Sequence, residues 1–148
     1  RDTQTDVFIR QLILAQNLNR RVIIHNLKAT AAIAAAVKTA GFTQGGIVHA
    51  FSGSVEEAWI LVKLGFKIGI GSLLLNSNAK KVRVALQALT DTDFVLETDS
   101  PFMLGHETNT PANVRRIAEI AAELRGIPLA QLSEITEQNV DSLLHTSP

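Results

Sequence analysis

Apolar residues along this chain switch repeatedly between two spacings, and the switching predicts an architecture. Val7, Phe8, Leu12, Ile13 and Leu14 recur at helical spacing, with Thr5 or Asp6 available to cap the first turn. A compact β-branched run follows at residues 21–24, the form of a strand buried in a parallel sheet. The same pair of signals then returns three times. An alanine-rich helix is predicted over 29–40, stopped by Gly41, with a strand over 45–48. Ser54-Val55-Glu56-Glu57 has the form of a capping box and opens a helix that runs to Gly65; residues 66–70 make the third strand. A helix from about 78 to 89 and a strand over 94–96 complete the series. Thr110-Pro111 reads as the N-cap and first residue of a helix ending before Gly126. Pro128 begins a last helical stretch through Leu144, with a break expected near Glu137.

Four βα units of this kind define an α/β protein and fit two architectures. One is a small open parallel sheet with helices on both faces, and the other is half of an eight-stranded barrel. No internal sequence repeat, linker or low-complexity segment interrupts residues 1–148, so one domain is expected. The chain opens on a helix that should follow a strand, and on Arg1 rather than Met, so an upstream segment is expected to be missing. The longest irregular stretch, residues 100–109, directly follows an acidic turn, and long loops in such places tend to be functional.

Composition narrows the picture mainly by exclusion. Formal net charge is zero, which argues against a general nucleic-acid or membrane-surface binder. A polyanionic substrate would have to be held locally, by metal and a few side chains. Cysteine is absent, which removes disulfides and cysteine-based zinc sites and agrees with a reducing, cytoplasmic setting. No apolar run reaches the ~20 residues needed to span a bilayer, and no secretory signal is visible, so no membrane partner is expected.

The candidate chemistry sits at strand ends. His25 and His49 each close an apolar run, and Glu97-Thr98-Asp99-Ser100-Pro101 closes a third. In an α/β barrel, residues just past the C-terminal ends of the strands face the active site. Two imidazoles and a carboxylate converging there make a divalent-metal site the leading reading; either histidine alone could equally be structural. Asp99 could share a face with Glu97, or it could cap the turn as a solvated loop acid. The stretch from His49 to Ser54, including Ser52, could present helix-start amides to an anion; on spacing alone, an efficient strand-to-helix connection is preferred. Gly69 and Gly71 lack a dinucleotide fingerprint and read as room for close backbone packing or ligand approach. His106 is read as solvated in preference to a substrate-edge role, His145 is given no role, and Trp59 is expected to pack its helix on the sheet.

Taken in order, Val22-Ile23-Ile24-His25, Val48-His49-Ala50-Phe51-Ser52-Gly53-Ser54, Leu64-Gly65-Phe66-Lys67-Ile68-Gly69 and Leu96-Glu97-Thr98-Asp99-Ser100-Pro101 resemble successive motifs of the TatD-type metal-dependent hydrolases. Asn109-Thr110-Pro111 and Thr136-Glu137-Gln138-Asn139 fit the same pattern, as does the opening stretch 8–15. The resemblance covers almost the whole chain. It implies a TIM-type (β/α)8 barrel of the amidohydrolase superfamily, of which this chain would be the C-terminal half, strands five to eight. His25, His49 and Asp99 fall on the family's metal-ligand positions, with Asp99 also helping to deprotonate the nucleophilic water. Glu97, Ser52 and His106 are then candidates to orient the metal ligands or to bind substrate.

The family's remaining ligands, an HxH pair on the first strand and a glutamate on the fourth, have no counterpart here. Leu27 stands where the family commonly has an arginine, with Lys28 beside it, and Ser72 stands where a further glycine is expected. The implied function is a metal-dependent hydrolase, a TatD-like deoxyribonuclease that cleaves phosphodiester bonds through a metal-activated water. It would use two divalent ions in the full barrel, with zinc, manganese and magnesium not distinguished. The loss at Leu27 keeps open an amidohydrolase-like esterase, amidase or lactonase acting on a small ester or amide. A third reading is an inactive half-barrel that self-associates, as a homodimer, through its open face. In that reading Val22, Ile24, Ile47, Ile68 and Val95 point inward with nothing opposite.

Overall fold

A computed structural model describes residues 3–25, 29–97 and 111–145. The elements run α1 (Thr3–Asn17), β1 (Val22–His25), α2 (Thr30–Ala40), β2 (Gly46–His49), α3 (Val55–Lys63), β3 (Phe66–Ile70), a 3₁₀ turn (Ser72–Leu75), α4 (Lys80–Ala88), β4 (Phe94–Leu96), α5 (Pro111–Arg125) and α6 (Leu129–His145). The four strands pair in parallel in the order β1-β2-β3-β4. Each step is a strand, a crossover helix and a neighbouring strand, the connection that parallel pairing requires.

Local signals act where the sequence placed them. Gly41 adopts φ +65° after α2, and the amides of Gly41 and Phe42 bond back to Lys38 and Val37 oxygens, which closes the helix with a left-handed cap. At the start of α3 the Ser54 hydroxyl accepts from the Glu57 amide, while the Glu57 carboxylate accepts from the Ser54 amide at 3.0 Å. The Thr30 hydroxyl donates to the other Glu57 oxygen at 2.9 Å, tying the starts of α2 and α3 together. These bonds hold the Glu57 carboxyl below its ordinary pKa, the Ser54 amide contributing most and the Thr30 hydroxyl next.

Register sorts the strand residues onto two faces. Val48, Ile68 and Phe94 are direct partners across three strands, and Ile24 pairs with Val48; all four are buried among Ile33, Val37, Leu61 and Leu86 of the helices. The opposite face carries Ile23, Ile47 and Lys67 in one row. A second row toward the strand ends carries His25 and His49, and Gly69 pairs there with Val95. The expected inward set is therefore corrected: Val22, Ile24 and Ile68 lie on the helix side, and only Ile47 and Val95 belong to the other face. The period-2 rule makes this a one-residue question, and an all-apolar strand does not answer it.

At the start of β1 and β2, Leu143 of α6 joins Arg20, Ile23 and Ile47 around an open cleft of about 420 Å³. Ile23 is 70% exposed, whereas Val95 is buried although it stands outside the helix-side core.

Further corrections are local. The helix at the C-terminus continues unbroken through Glu137, because no glycine or proline interrupts residues 129–145. Trp59 is 47% exposed on α3 and does not pack against the sheet core, where Ala58 and Leu61 take that role. Ser72, where the resemblance expects a further glycine, opens the 3₁₀ turn. Thr110 lies outside the described residues.

The connection into β4 is pinned from two helices. Arg125 of α5 donates to the Leu86 and Leu89 oxygens at 2.7 Å each and to Asp91 at 2.6 Å, and its guanidinium lies 4.9 Å from the Phe94 ring centre. Asn139 of α6 donates to the oxygens of Asp91 and Phe94, both at 2.7 Å. A buried amide with both donor bonds made holds its neighbours firmly. Asn139, quoted above only as part of a motif, thus clamps the base of the strand that leads to Glu97.

Candidate active site

His25 and His49 are register partners at the C-terminal ends of β1 and β2. Their side chains lie on the same face of the sheet, and the ring centres are 4.9 Å apart with an edge-on angle of 83°. The sequence expectation that consecutive strands place both imidazoles side by side is met.

Glu97 reaches this pair from the far side of the sheet. Its amide donates to the Ile70 oxygen at 2.8 Å, so the β3–β4 ladder continues one residue past β4 and aims the side chain along the face. One carboxylate oxygen lies 2.8 Å from His49 Nδ1, and the other accepts the Ala50 amide at 3.0 Å. A carboxylate accepting from both sides requires Nδ1 to carry its hydrogen, which leaves Nε2 of a neutral ring with its lone pair. The side chains are 16% and 11% exposed, enough to shield the bond from bulk water.

Two backbone features make this geometry available. Ala50 adopts φ +51°, a left-handed conformation uncommon for alanine, and so turns its amide toward Glu97. Gly69 lies beneath the carboxylate: a Cβ there would sit 2.6 Å from Glu97 Cδ and 2.8 Å from the Val48 oxygen. Gly69 is therefore the space that Glu97 fills to cross β3, as the reading of close packing or ligand approach anticipated in kind. The Ala50 turn had no signal in the sequence.

Ser52 lies exposed in the connection from His49 to α3. Two amides at this helix start, those of Ser54 and Glu57, are taken by the capping box, which also sets the Glu57 carboxylate beside them. Asp99, His106, Leu27 and Lys28 lie outside the described residues, as does the side chain of His145.

Two neighbouring imidazoles, one fixed through Nδ1 by a carboxylate, form a donor set suited to a divalent ion of borderline softness. Among the described residues no cluster of three or more His, Asp or Glu side chains is arranged to hold a metal, so the described donors reach two. Also among the described residues, no helix is long and apolar enough to cross a membrane.

A parallel sheet built from βα units, with two histidines at the C-terminal ends of its strands, places the chain in the α/β class. The family model for TatD related DNase matches residues 1–145, and the chain belongs to that family. It is 34% identical over 148 residues to the uncharacterized metal-dependent hydrolase YabD of Bacillus subtilis, covering 97% of this chain and 58% of that protein. It is 33% identical over 142 residues to the human deoxyribonuclease TATDN3, covering 94% of this chain and 50% of that one. The crystal structure of the TatD homologue YJJV from Escherichia coli superposes with a TM-score of 0.81 at 31% identity, over 93% of this chain and 54% of that one. The chain thus spans about half the length of the curated relatives it matches.

Proposed function

We propose that this chain forms strands five to eight of a (β/α)8 barrel, as a single domain over 1–148, whose site hydrolyses phosphodiester bonds of DNA. The observation that carries the reading is the His49–Glu97 bond beside His25, with both histidines at the C-terminal strand ends. In the proposal His25 Nε2 or Nδ1, His49 Nε2 and the Asp99 carboxylate hold divalent metal, two ions in the complete barrel, and Ser52 and His106 border the substrate. A bound ion supplies Lewis acidity and an activated water at neutral pH. Glu97 keeps the His49 ring in one tautomer and one orientation. Ala50 fixes the second Glu97 oxygen, so the carboxylate cannot rotate away from the imidazole. Asp99, two residues further along, accepts the proton of the attacking water.

The human deoxyribonuclease supports the DNA reading, and the relatives named metal-dependent hydrolases support use of metal. Leu27, standing where the resemblance expects arginine, favours a second reading in which the same site opens a carboxylic ester, amide or lactone. Hydrolysis of DNA, bis(p-nitrophenyl) phosphate and p-nitrophenyl acetate, compared with added manganese or zinc, separates the two. Phosphodiester turnover that His49→Ala abolishes supports the nuclease. Acetate turnover alone would replace it with the second reading. We further propose that the 148-residue chain alone holds metal weakly, since three ligands shared between two positions leave each short of donors.

A further inference from the structure

Net charge is zero, yet the basic residues are not spread evenly. Lys80, Lys81 and Arg83 lie in the first turns of α4, which contains no acid at all, and Arg115 and Arg116 lie in the second turn of α5. These two helices pack against each other, and their first turns project from the same end of the sheet as His25 and His49. Cations at a helix N-terminus oppose the macrodipole, so local helix energetics do not account for Lys80 and Lys81. Only Lys81 has a described reason, since its charge faces Glu57.

Between the 3₁₀ turn, α4 and α5 lies a cleft of about 360 Å³ lined by Ser77, Arg83, Arg116 and Glu123, with Leu75 and Ile120 at its apolar wall. Arg83 is anchored by a bond from one terminal nitrogen to the Leu74 oxygen at 2.8 Å, while its Nε is buried without a partner. A guanidinium anchored through one terminal nitrogen keeps further donors, and Arg83 is among the residues that line the cleft. Arg116 stands on the other wall, 62% exposed, and approaches Glu119 only at 3.9 Å, a separation at which a surface pair contributes little. Glu123 at the rim opposes an anion, which fits weak, local holding of one phosphate more than a strong free-phosphate site.

We propose that this cleft is a subsite for a backbone phosphate of DNA running outward from the active site, held by Arg83 and Arg116 with Lys80 at its approach. The inference rests on the DNA reading above and extends it to where the strand lies. It also explains how a chain with no net charge engages a polyanion: the positive potential is concentrated on one flank of the catalytic end.

The test is anisotropy of a labelled single-stranded 12-mer with the full chain across a salt series, alongside turnover of bis(p-nitrophenyl) phosphate, which carries a single phosphate and no strand to extend into the cleft. Arg116→Gln and Lys80→Gln are both at exposed positions and leave the Arg83 anchor intact. Together they should weaken DNA binding about tenfold at low salt and lower the salt slope by about 1.4, the single-strand value for two lost contacts, uniformly across sequences. Turnover of the small substrate should not change. DNA binding with an unaltered slope in the double variant, or no DNA binding by the wild-type chain, would overturn the subsite. Loss of DNA binding in the variant, with no small-substrate turnover by any form, would uphold the subsite and show that the 148-residue chain alone does not hydrolyse phosphodiesters, the outcome that weak metal holding predicts.

Discussion

The two faces of one four-stranded sheet obey different rules in this molecule. On the helix side, Ile24, Val48, Ile68 and Phe94 form a row with at most 5% exposure, closed over by α2, α3 and α4. On the other side the same strands present Ile23, Ile47, Lys67, His25, His49 and the glycine that admits Glu97. The first face supplies cohesion through close packing. The second carries polar groups whose value lies in orientation, and it accepts exposed apolar area to keep them reachable. The lesson is that adjacent residues on one strand, such as Val48 and His49, serve opposite purposes because the pleat sends them to opposite faces.

The largest effect should come from emptying the packed face. Phe94→Ala removes a fully buried ring and the surface under Arg125, and should cost about 3–5 kcal/mol, read by urea denaturation. Ile23→Ala, one pleat away from that core and 70% exposed, should stay within about 0.5 kcal/mol. Comparable losses at both positions would break the distinction between the faces.

Next in size is Gly69→Ala. Its new methyl would meet Glu97 and the Val48 carbonyl, so either the strand or the carboxylate must move, at about 1–3 kcal/mol. The histidine ring ¹⁵N shifts should show that His49 has lost its fixed tautomer. Unchanged shifts would mean that Glu97 does not depend on this gap.

Glu97→Gln keeps the shape but exchanges a carboxylate for an amide beside Nδ1. Stability should change little, while manganese or zinc affinity, measured by calorimetry on the chain, should fall about 10–100-fold. An equal loss of stability and affinity would mark Glu97 as a structural residue only.

The smallest effect concerns Glu57, on the helix side. Its carboxyl is held below the ordinary value by the capping bonds, so it contributes stability that is full above the unfolded carboxyl pKa. That contribution declines as pH falls through the lower, folded value. Glu57→Gln should therefore cost no more than about 1 kcal/mol at neutral pH, because solvent screens the carboxylate, and the gap between variant and wild type should close as the solution becomes strongly acidic. A gap constant from pH 7 to acid would remove the ionised carboxylate from the account.

Much of this was readable beforehand because it is encoded locally. The caps at Gly41 and Ser54, the alternation of helix and strand, and the placing of His25 and His49 at consecutive strand ends all follow from short-range patterns. A capping residue acts on amides a few positions away, and a β-branched run marks a strand wherever it falls, so neighbours in sequence suffice. Tertiary structure alone decided which pleat faced the helices, because Val22-Ile23-Ile24 is apolar at every position and offers no alternation to read. It alone joined Glu97 to His49 across 48 positions, over the gap at Gly69 and through the left-handed turn at Ala50. It alone set Asn139 and Arg125 under β4 and opened the cleft between Arg83 and Arg116. Those contacts exist only once separate elements have packed, since their partners are distant along the chain and no local pattern specifies the distance between them.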